Sequence, residues 1–193
     1  MFKELVKKAR SFRRFDNNHQ IADEVLIDII DTARMTPSGA NRQPIKYLYS
    51  NTNEINEAIF PHLSWAGYLK DWNGPEKDEQ PSAYIILYTE TQFLPHINFD
   101  GGIIAQTIQL SATEKGLGSC MIASFDKNKL KRLIKLEVEF EIILVIAIGK
   151  PVEKVILEEV GEDGSIKYWR DQHNEHHVPK RKLQDIMNKV DKI

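Results

Sequence analysis

The sequence predicts an α+β fold in which helices surround a mixed sheet. Predicted strands and helices alternate along the 193 residues, but several connections are too long for a simple doubly wound fold. Residues 101–113 contain no charged side chain over about three helical turns, which predicts a central helix that is buried on every side. The length fits a single domain that spans residues 1–193.

The composition excludes several classes of protein. Apolar residues make up 41% of the chain, and no apolar run approaches the roughly 20 residues of a membrane-spanning helix. The N-terminal segment lacks the apolar centre of a signal peptide, and the formal net charge of −2 provides no general attraction to nucleic acid. The single cysteine excludes an internal disulfide framework and is typical of a reducing cytoplasm. We therefore expect a cytoplasmic protein that binds neither membranes nor nucleic acid.

The first predicted elements are two helices separated by a basic turn. One helix covers residues 2–9, and the other covers 23–34, where apolar residues recur at helical spacing. Between them, residues 10–15 read Arg-Ser-Phe-Arg-Arg-Phe. Guanidinium groups bind phosphate oxygens in pairs, so this turn is either a phosphate clamp or an exposed basic surface.

A polar loop follows the second helix, which must end before Pro37 because proline disfavours helical geometry in the residue ahead of it. Within this loop, Ser38, Asn41 and Gln43 offer hydroxyl and amide groups that suit the polar edge of a heterocycle. The alternative is a turn whose side chains bond only to its own backbone. Residues 45–50 then alternate apolar and polar positions, which predicts a strand.

An aromatic segment comes next, and it fits either the core or a lid over a pocket. Trp65, Leu69 and Trp72 lie at i, i+4 and i+7, which predicts an amphipathic helix. The charged residues 76–79 place this helix near the surface. We expect Trp65, Tyr68 and Trp72 to shape a substrate pocket rather than the core.

The centre of the chain is a predicted strand over 83–89, followed by the uncharged helix. Asp100 is the expected N-cap of this helix, and Gly116 is its expected C-terminal stop. The next residues, 117–124, are small and apolar, so their backbone N–H groups can approach a flat ligand. The alternative is a core helix that leads into an ordinary core strand. A further helix is expected after Asp126, a natural N-cap.

The last part of the chain contains the strongest predicted strand, residues 141–148, and a histidine-rich turn. His173, His176 and His177 have spacings that can bind a metal ion, although their polar neighbours indicate a solvated turn. A metal-binding or interaction module is therefore one alternative. A thiol enzyme that uses Cys120 is another, although a thiol in an apolar strand has a raised pKa and is usually inert.

Four segments, in the same order along the chain, resemble the nitroreductase family of FMN-dependent oxidoreductases. They are Arg-Ser-x-Arg-x-Phe at 10–15, Pro-Ser-x-x-Asn-x-Gln-Pro at 37–44, the uncharged helix with Gly-Leu-Gly at 100–118, and Gly-Lys-Pro at 149–151 with Pro-Lys-Arg at 179–181. The resemblance covers nearly the whole chain. It implies a nitroreductase-like fold, in which helices flank a mixed, mainly antiparallel sheet and a long central helix is buried.

The resemblance also implies that FMN is the cofactor and that it binds at the interface of a homodimer. Ser38, Asn41 and Gln43 would come from the other subunit, and no metal is implied. The implied cofactor-binding residues are Arg10, Ser11, Phe12, Arg13, Pro37, Ser38, Gly39, Asn41, Gln43, Met121, Ile122, Ala123, Ser124, Lys180 and Arg181.

The activity that the resemblance implies is the reduction of a nitroaromatic compound, a quinone or a similar acceptor by NAD(P)H in a ping-pong cycle. A flavin carries its own redox chemistry, so the backbone of Ala123 and Ser124 would lie near the ring in place of a catalytic side chain. Better-known members have an acidic residue and a glycine at these two positions, which leaves the acceptor open. Because some relatives dehalogenate substrates or break down flavin, the alternative is a flavoprotein that does not reduce nitro compounds.

Overall fold

The computed structural model describes residues 1–190 and confirms the α+β class. None of the described helices is long and apolar enough to cross a membrane. The α-helices are α1 (Phe2–Lys8), α2 (Asp23–Arg34), α3 (Asn53–Ile59), α4 (Asn98–Glu114), α5 (Lys127–Leu133) and α6 (Leu183–Ile186). The strands are β1 (Phe15–Asp16), β2 (Lys46–Ser50), β3 (Ala83–Glu90), β4 (Gly118–Ile122), β5 (Phe140–Pro151), β6 (Val155–Glu159), β7 (Trp169–Arg170) and β8 (His176–Lys180).

Strand β5 is the centre of a five-stranded sheet in which every pairing is antiparallel. Ile146 pairs with Ile85 of β3 and with Met121 of β4, so these two strands lie on opposite sides of β5. Strand β2 extends the sheet beyond β3, and β1 pairs with the end of β5. The apolar run that predicts β5 is explained by this position, because a central strand covered on both faces has no solvent-facing side.

Two hydrophobic clusters fill the two faces of this sheet. On one face, Ile85 and Leu87 pack with apolar residues of α2 and α4. On the other face, Tyr84 and Ile86 pack with residues of α3 and α5. The alternation follows from the two-residue period of a strand, which sends successive side chains of β3 to opposite faces. We call the region from α1 to β5 the body.

The long central helix α4 is confirmed, but its predicted burial on every side is wrong for a single chain. Ile108 is fully buried, whereas Phe99 and Ile103 are 84% and 40% exposed. The predicted N-cap is also wrong, because the helix begins at Asn98 and Asp100 lies within its first turn. Around Phe99 and Ile103, α4 therefore has an apolar face that the described residues do not cover.

The predicted amphipathic helix at residues 65–72 is wrong, because this segment forms turns. Ala66 has a φ of 43°, which an α-helix does not allow, and Gly74 has a φ of 123°. A helix of about two turns gains too little by itself to form without tertiary support. The chain instead bends back over Trp65, whose ring lies 2.9 Å from the position of a Cβ on Gly74.

A separate three-stranded sheet follows the body, and we call it the C-terminal sheet. In it, β6 and β8 run parallel, whereas β7 and β8 run antiparallel. Glu153 joins the two parts, because its carboxylate accepts the backbone N–H of Arg13 and a hydrogen bond of 3.1 Å from Arg170 Nη2. This contact holds the C-terminal sheet beside the basic turn.

Candidate functional site

A cleft of about 390 Å³ lies where the basic turn, α4, β4 and the C-terminal sheet meet. We call it the basic cleft because its charged lining residues are two arginines and one lysine. Its lining residues are Ala9, Arg10, Ser11, Arg13, Gln106, Gln109, Met121, Tyr168, His176, Val178 and Lys180. Five of the predicted cofactor-binding residues are among them: Arg10, Ser11, Arg13, Met121 and Lys180. The structure thus brings the two ends of the chain to one place.

Arg10 is positioned by the end of α1. Its Nε donates to the carbonyl of Ala9 and its Nη2 donates to the carbonyl of Val6, both at 2.7 Å. These bonds satisfy carbonyl groups that the last helical turn leaves open. Burial lowers the pKa of Arg10, but arginine stays charged in proteins. The guanidinium is therefore a fixed positive charge in the wall of the cleft.

Arg13 is held from several directions. Its Nη1 lies 3.1 Å from Nε2 of His176 and donates to the carbonyl of Ser11 at 3.3 Å. Its guanidinium also lies 4.7 Å from the centre of the Tyr168 ring, within the range of a cation–π contact. Since arginine has only donors, Nε2 of His176 accepts this hydrogen bond.

His176 is fully buried and neutral at ordinary pH. Burial, together with the charges of Arg13, Arg170 and His177, lowers its pKa to about 4. With Nε2 accepting from Arg13, the proton of the neutral ring is on Nδ1. This buried Nδ1 has no hydrogen-bond partner among the described residues. An unsatisfied donor beside a cleft is typical of a site that binds a polar ligand.

Strand β4 contributes one side chain to the basic cleft. Met121 lines it, whereas the side chain of Ile122 packs into the core, so the predicted contact of Ile122 with a cofactor is left to its backbone. Ala123 and Ser124 follow the strand and are exposed, but they do not line the described cleft. The thiol of Cys120 is buried, and burial raises its pKa to about 11, which argues against a reactive thiolate.

Phe12, another of the predicted cofactor residues, does not line the basic cleft. Its side chain packs against Gly118 of β4, where a Cβ would lie 2.6 Å from the ring. Its backbone N–H donates to the carbonyl of Ser119 at 2.9 Å. Phe12 therefore anchors the basic turn to β4, and the alternation along the turn leaves Ser11 and Arg13 to line the cleft.

The polar loop lies apart from the basic cleft of the same chain. Pro37, Ser38 and Gln43 line a smaller cleft of about 240 Å³, and Gly39, Asn41 and Gln43 are exposed. The side chains of Gln43 and Asn41 are bonded to each other at 3.0 Å. If these groups bind the ligand of a basic cleft, that cleft belongs to another chain.

Arg181 and Lys180 point to different places, as neighbouring residues of an extended chain do. Lys180 lines the basic cleft, whereas Arg181 lines a separate cleft together with Lys182. Of the basic residues at 180–182 that the sequence offers for a phosphate, only Lys180 lines the basic cleft.

The aromatic residues that we expected in a substrate pocket are divided between core and surface. Trp65 is 8% exposed and belongs to the core, so its expected role in a pocket is corrected. Tyr68 and Trp72 line an open cleft of about 520 Å³. The Arg170 guanidinium lies 4.1 Å from the centre of the Trp72 ring. We call this second cleft the aromatic cleft.

The aromatic cleft adjoins the basic cleft. Tyr168 lines the basic cleft, and its hydroxyl accepts the backbone N–H of Tyr68 at 3.3 Å. The rings of Tyr68 and Tyr168 are 4.9 Å apart between centres. This pair is a shared wall, so a ligand in one cleft lies close to the other.

The histidine-rich turn does not bring its three histidines together. His176 contacts Arg13, His177 Nδ1 lies 3.1 Å from Glu158 Oε2, and His173 is exposed. In the part of the chain that the structure describes, the side chains that could hold a metal ion together are Asp171, Glu175 and His177. The alternative of a metal site built on these three histidines is therefore not supported by the described residues.

Sequence patterns missed several residues of the basic cleft. Gln106 and Gln109 are spaced as i and i+3 on the uncharged helix, a signal that could have placed them on one face. Gln109 Nε2 donates to the carbonyl of Arg10 at 3.2 Å, which links α4 to the basic turn. Tyr168, His176 and Val178 carried no such signal.

Comparison with known proteins places this chain within a class of oxidoreductases. The model of the nitroreductase family matches residues 6–150, which is most of the chain. The chain belongs to the nitroreductase family.

Its relatives are distant in sequence. YdgI of Bacillus subtilis, which carries the name NAD(P)H nitroreductase, is 25% identical over 190 residues, covering 79% of this chain and 90% of YdgI. An iodotyrosine deiodinase of Thermotoga neapolitana is 24% identical over 169 residues, covering 78% of this chain and 89% of that enzyme.

Solved structures share the fold. A protein of Staphylococcus epidermidis described as an NAD(P)H:FMN oxidoreductase has a TM-score of 0.70 at 19% identity, covering 98% of this chain and 96% of its own. A nitroreductase of Exiguobacterium sibiricum in complex with FMN has a TM-score of 0.64 at 21% identity, covering 79% of this chain and 89% of its own. At these identities the likeness establishes the fold alone.

Proposed function

We propose that this protein is an FMN-dependent oxidoreductase of the nitroreductase type, which uses NAD(P)H to reduce a small aromatic acceptor such as a nitroaromatic compound or a quinone. The observation that carries the proposal is the basic cleft. Arg10, Arg13 and Lys180 meet there, and none of the lining residues is acidic. A cleft with this charge favours an anionic ligand.

The residues of the basic cleft fit FMN. Arg10 and Lys180 supply the cations that a phosphate requires, and Ser11 supplies a hydroxyl. Met121 supplies an apolar, adaptable surface for a flat ring. The buried N–H of His176 is a further donor, and the volume of about 390 Å³ is within the range of ligand pockets.

FMN supplies the redox chemistry when it is bound. The protein residues bind it, orient it and stabilise the charge that develops on it. Ala123 and Ser124 are exposed immediately after Met121, which supports the proposal that their backbone N–H groups donate to a ring bound along β4. Donors aimed at developing charge lower the barrier because they need no reorganisation.

A homodimer is part of the proposal. The exposed face of α4, with Phe99 and Ile103, is an apolar surface next to the exposed polar loop. A second copy that covered this face would also bring its own polar loop close to the first copy. Asn41 and Gln43 of one chain would then bind the flavin in the basic cleft of the other.

The aromatic cleft is the proposed site for the acceptor. Tyr68 is 49% exposed there, and Trp72 is half-buried. Aromatic faces beside a flavin cleft bind flat aromatic molecules by stacking. The shared Tyr68–Tyr168 wall places such a molecule next to the proposed flavin.

A cytoplasmic location, expected from the sequence, stays a prediction.

The absorbance spectrum of the purified protein, reconstituted with FMN, tests the cofactor. We expect flavin bands and about one FMN per chain, and light scattering should give a dimer. A stable monomer of about 22 kDa that retains flavin would contradict the shared site, and a protein that retains no flavin would refute the proposal.

A dehalogenating flavoprotein is the second candidate, favoured by the similarity to the iodotyrosine deiodinase. Both candidates need the same cofactor, so only turnover separates them. Steady-state assays should compare a nitroaromatic compound, a quinone and a halotyrosine with the same reduced nicotinamide. Turnover of the halotyrosine alone would favour the second candidate.

A further inference from the structure

Asp100 makes an unusual contact between the central helix and the polar loop. Its carboxylate is buried, with the residue only 6% exposed. Oδ2 accepts a hydrogen bond of 2.6 Å from the Ser38 hydroxyl, and Oδ1 accepts one of 3.0 Å from the Gly39 N–H. A buried carboxylate is unfavourable unless it is paired in this way, and the N-terminal turn of a helix favours its negative charge.

The loop that Asp100 holds has a constrained backbone. Ala40, Asn41 and Gln43 have φ values of 51°, 54° and 50°, in the left-handed region that residues other than glycine seldom occupy. Such conformations persist only where the surroundings hold them, and they occur often at ligand sites.

Ser38 connects Asp100 to the other end of the loop, at Gln43. Its hydroxyl donates to Asp100 and also accepts the backbone N–H of Gln43 at 2.9 Å. At the end of the loop, the Thr89 hydroxyl donates to the carbonyl of Pro44 at 2.9 Å. The two ends of the loop are thus tied to α4 and to β3, and the exposed residues between them have a defined conformation.

The side chains at the tip of the loop present a donor and an acceptor together. Gln43 Nε2 donates to Asn41 Oδ1, so within the described residues Nδ2 of Asn41 and Oε1 of Gln43 remain for another partner. An amide donor beside an amide acceptor matches a ring edge that carries a carbonyl next to an N–H. The spacing of the pair depends on the loop conformation.

We propose that Asp100 is a positioning residue for ligand binding: through Ser38 and Gly39 it holds the loop so that Asn41 and Gln43 face the flavin of the second copy. The role of the loop rests on the proposed function, but the contact itself does not. The buried Asp100 is the next residue after the exposed Phe99, so the same helical turn carries part of the proposed dimer surface and the contact to the loop.

The first test is hydrogen exchange of the loop amides in the dimer. Asp100→Ala removes both acceptors, and we expect the N–H groups of Gly39 and Gln43 to exchange at least about tenfold faster. Asp100→Asn keeps one acceptor oxygen and should give a smaller increase. Glu114→Gln is the matched control, because Glu114 is an exposed carboxylate in the last turn of the same helix.

The second test is the affinity of the parent and the variants for FMN and for riboflavin. Asp100→Ala should weaken both ligands by the same factor, about tenfold or more, because the loop contacts the ring edge and not the phosphate. Ser38→Ala should act in the same direction, and it keeps the helix intact if Asp100→Ala does not fold. Glu114→Gln should leave both affinities unchanged.

Unchanged exchange and unchanged affinities in both Asp100→Ala and Ser38→Ala would overturn the proposal. Loss of FMN affinity with riboflavin affinity retained would also overturn it, because that pattern belongs to the phosphate end of the cleft. A parent protein that binds neither flavin would refute the proposed function and the ligand role of the loop, whereas the exchange result alone decides whether Asp100 holds the loop.

Discussion

The body and the C-terminal sheet are stabilised by different interactions. The first five residues of β3 and the run from Val145 to Gly149 in β5 are buried, and apolar clusters cover both faces of these strands. In the C-terminal sheet, β6 and β7 have only half-buried or exposed residues. The C-terminal sheet is held to the body by polar contacts, such as those of Glu153 with Arg13 and Arg170.

The two regions contribute different things to the protein: the body contributes buried core, and the C-terminal sheet contributes side chains of the basic cleft. The family model matches residues 6–150, and this region contains the body with the basic turn and β4. Tyr168, His176, Val178 and Lys180 of the basic cleft lie beyond it. The body therefore supplies most of the burial, while the C-terminal sheet adds side chains to the basic cleft. The length of the chain predicts that the two parts fold as a single domain, and this stays a prediction.

Two tryptophans give the largest expected contrast between core and surface. Trp65→Ala should cost about 3–5 kcal/mol of unfolding free energy, because it removes a buried ring from the body. Trp72→Ala should cost less than about 2 kcal/mol, because Trp72 is half-buried against Arg170, and it should alter acceptor preference. Urea unfolding and steady-state kinetics check both. Equal losses of stability would show that the aromatic cleft is part of the core.

Acid should weaken the C-terminal sheet through His176. Its pKa is lowered to about 4 in the folded protein, so folding favours the neutral ring. This stabilisation is complete above the ordinary histidine pKa near 6.5 and is lost as the pH falls towards 4. Between pH 7 and pH 4.5 the loss should be about 2–3 kcal/mol of unfolding free energy.

The control for this effect is His176→Gln, which cannot titrate. Carboxylates titrate in both proteins, so the difference between their two pH profiles in urea unfolding isolates His176. A parent profile parallel to that of His176→Gln would mean that the ring is not held neutral in the folded protein.

The proposed phosphate-binding end of the basic cleft is built from both regions, with Arg10 in the body and Lys180 in the C-terminal sheet. Changing both residues to Ala should weaken FMN by about a hundredfold, because hydrogen bonds to charged groups are the strong ones. Riboflavin, which lacks the phosphate, should be affected far less. Fluorescence titration of both ligands measures this, and an equal loss for the two would show that these residues do not clamp the phosphate.

The smallest expected effect lies within β4 and the residues after it. Ala123→Pro removes a backbone N–H beside the proposed ring and should slow flavin reduction at least about tenfold. Cys120→Ala removes a buried thiol with a raised pKa and should leave turnover within a few-fold. Stopped-flow reduction compares them, provided that the flavin spectrum and the dimer are intact. An inactive Cys120→Ala with normal flavin content would revive the thiol mechanism.

Local patterns in the sequence determined most of the elements. The helix predicted over 23–34 is α2, and the strand predicted over 141–148 lies within β5. The helix predicted over residues 65–72 is wrong. Three aromatic or apolar positions there have the spacing of a helical stripe, but the chain turns back at Ala66. A short helix is stabilised by less free energy than the tertiary contacts that compete with it.

Motifs in the sequence also predicted Arg10, Ser11, Arg13, Met121 and Lys180, which the structure brings into one cleft. Only the tertiary structure decided which residues next to these five face away from the cleft. A shift of one residue along an extended chain reverses the direction of a side chain. It also placed the cleft residues Tyr168 and His176 and the buried carboxylate of Asp100, whose partners lie far away in the sequence. Contacts of this kind leave no periodic signal, since they arise only when separate elements pack together.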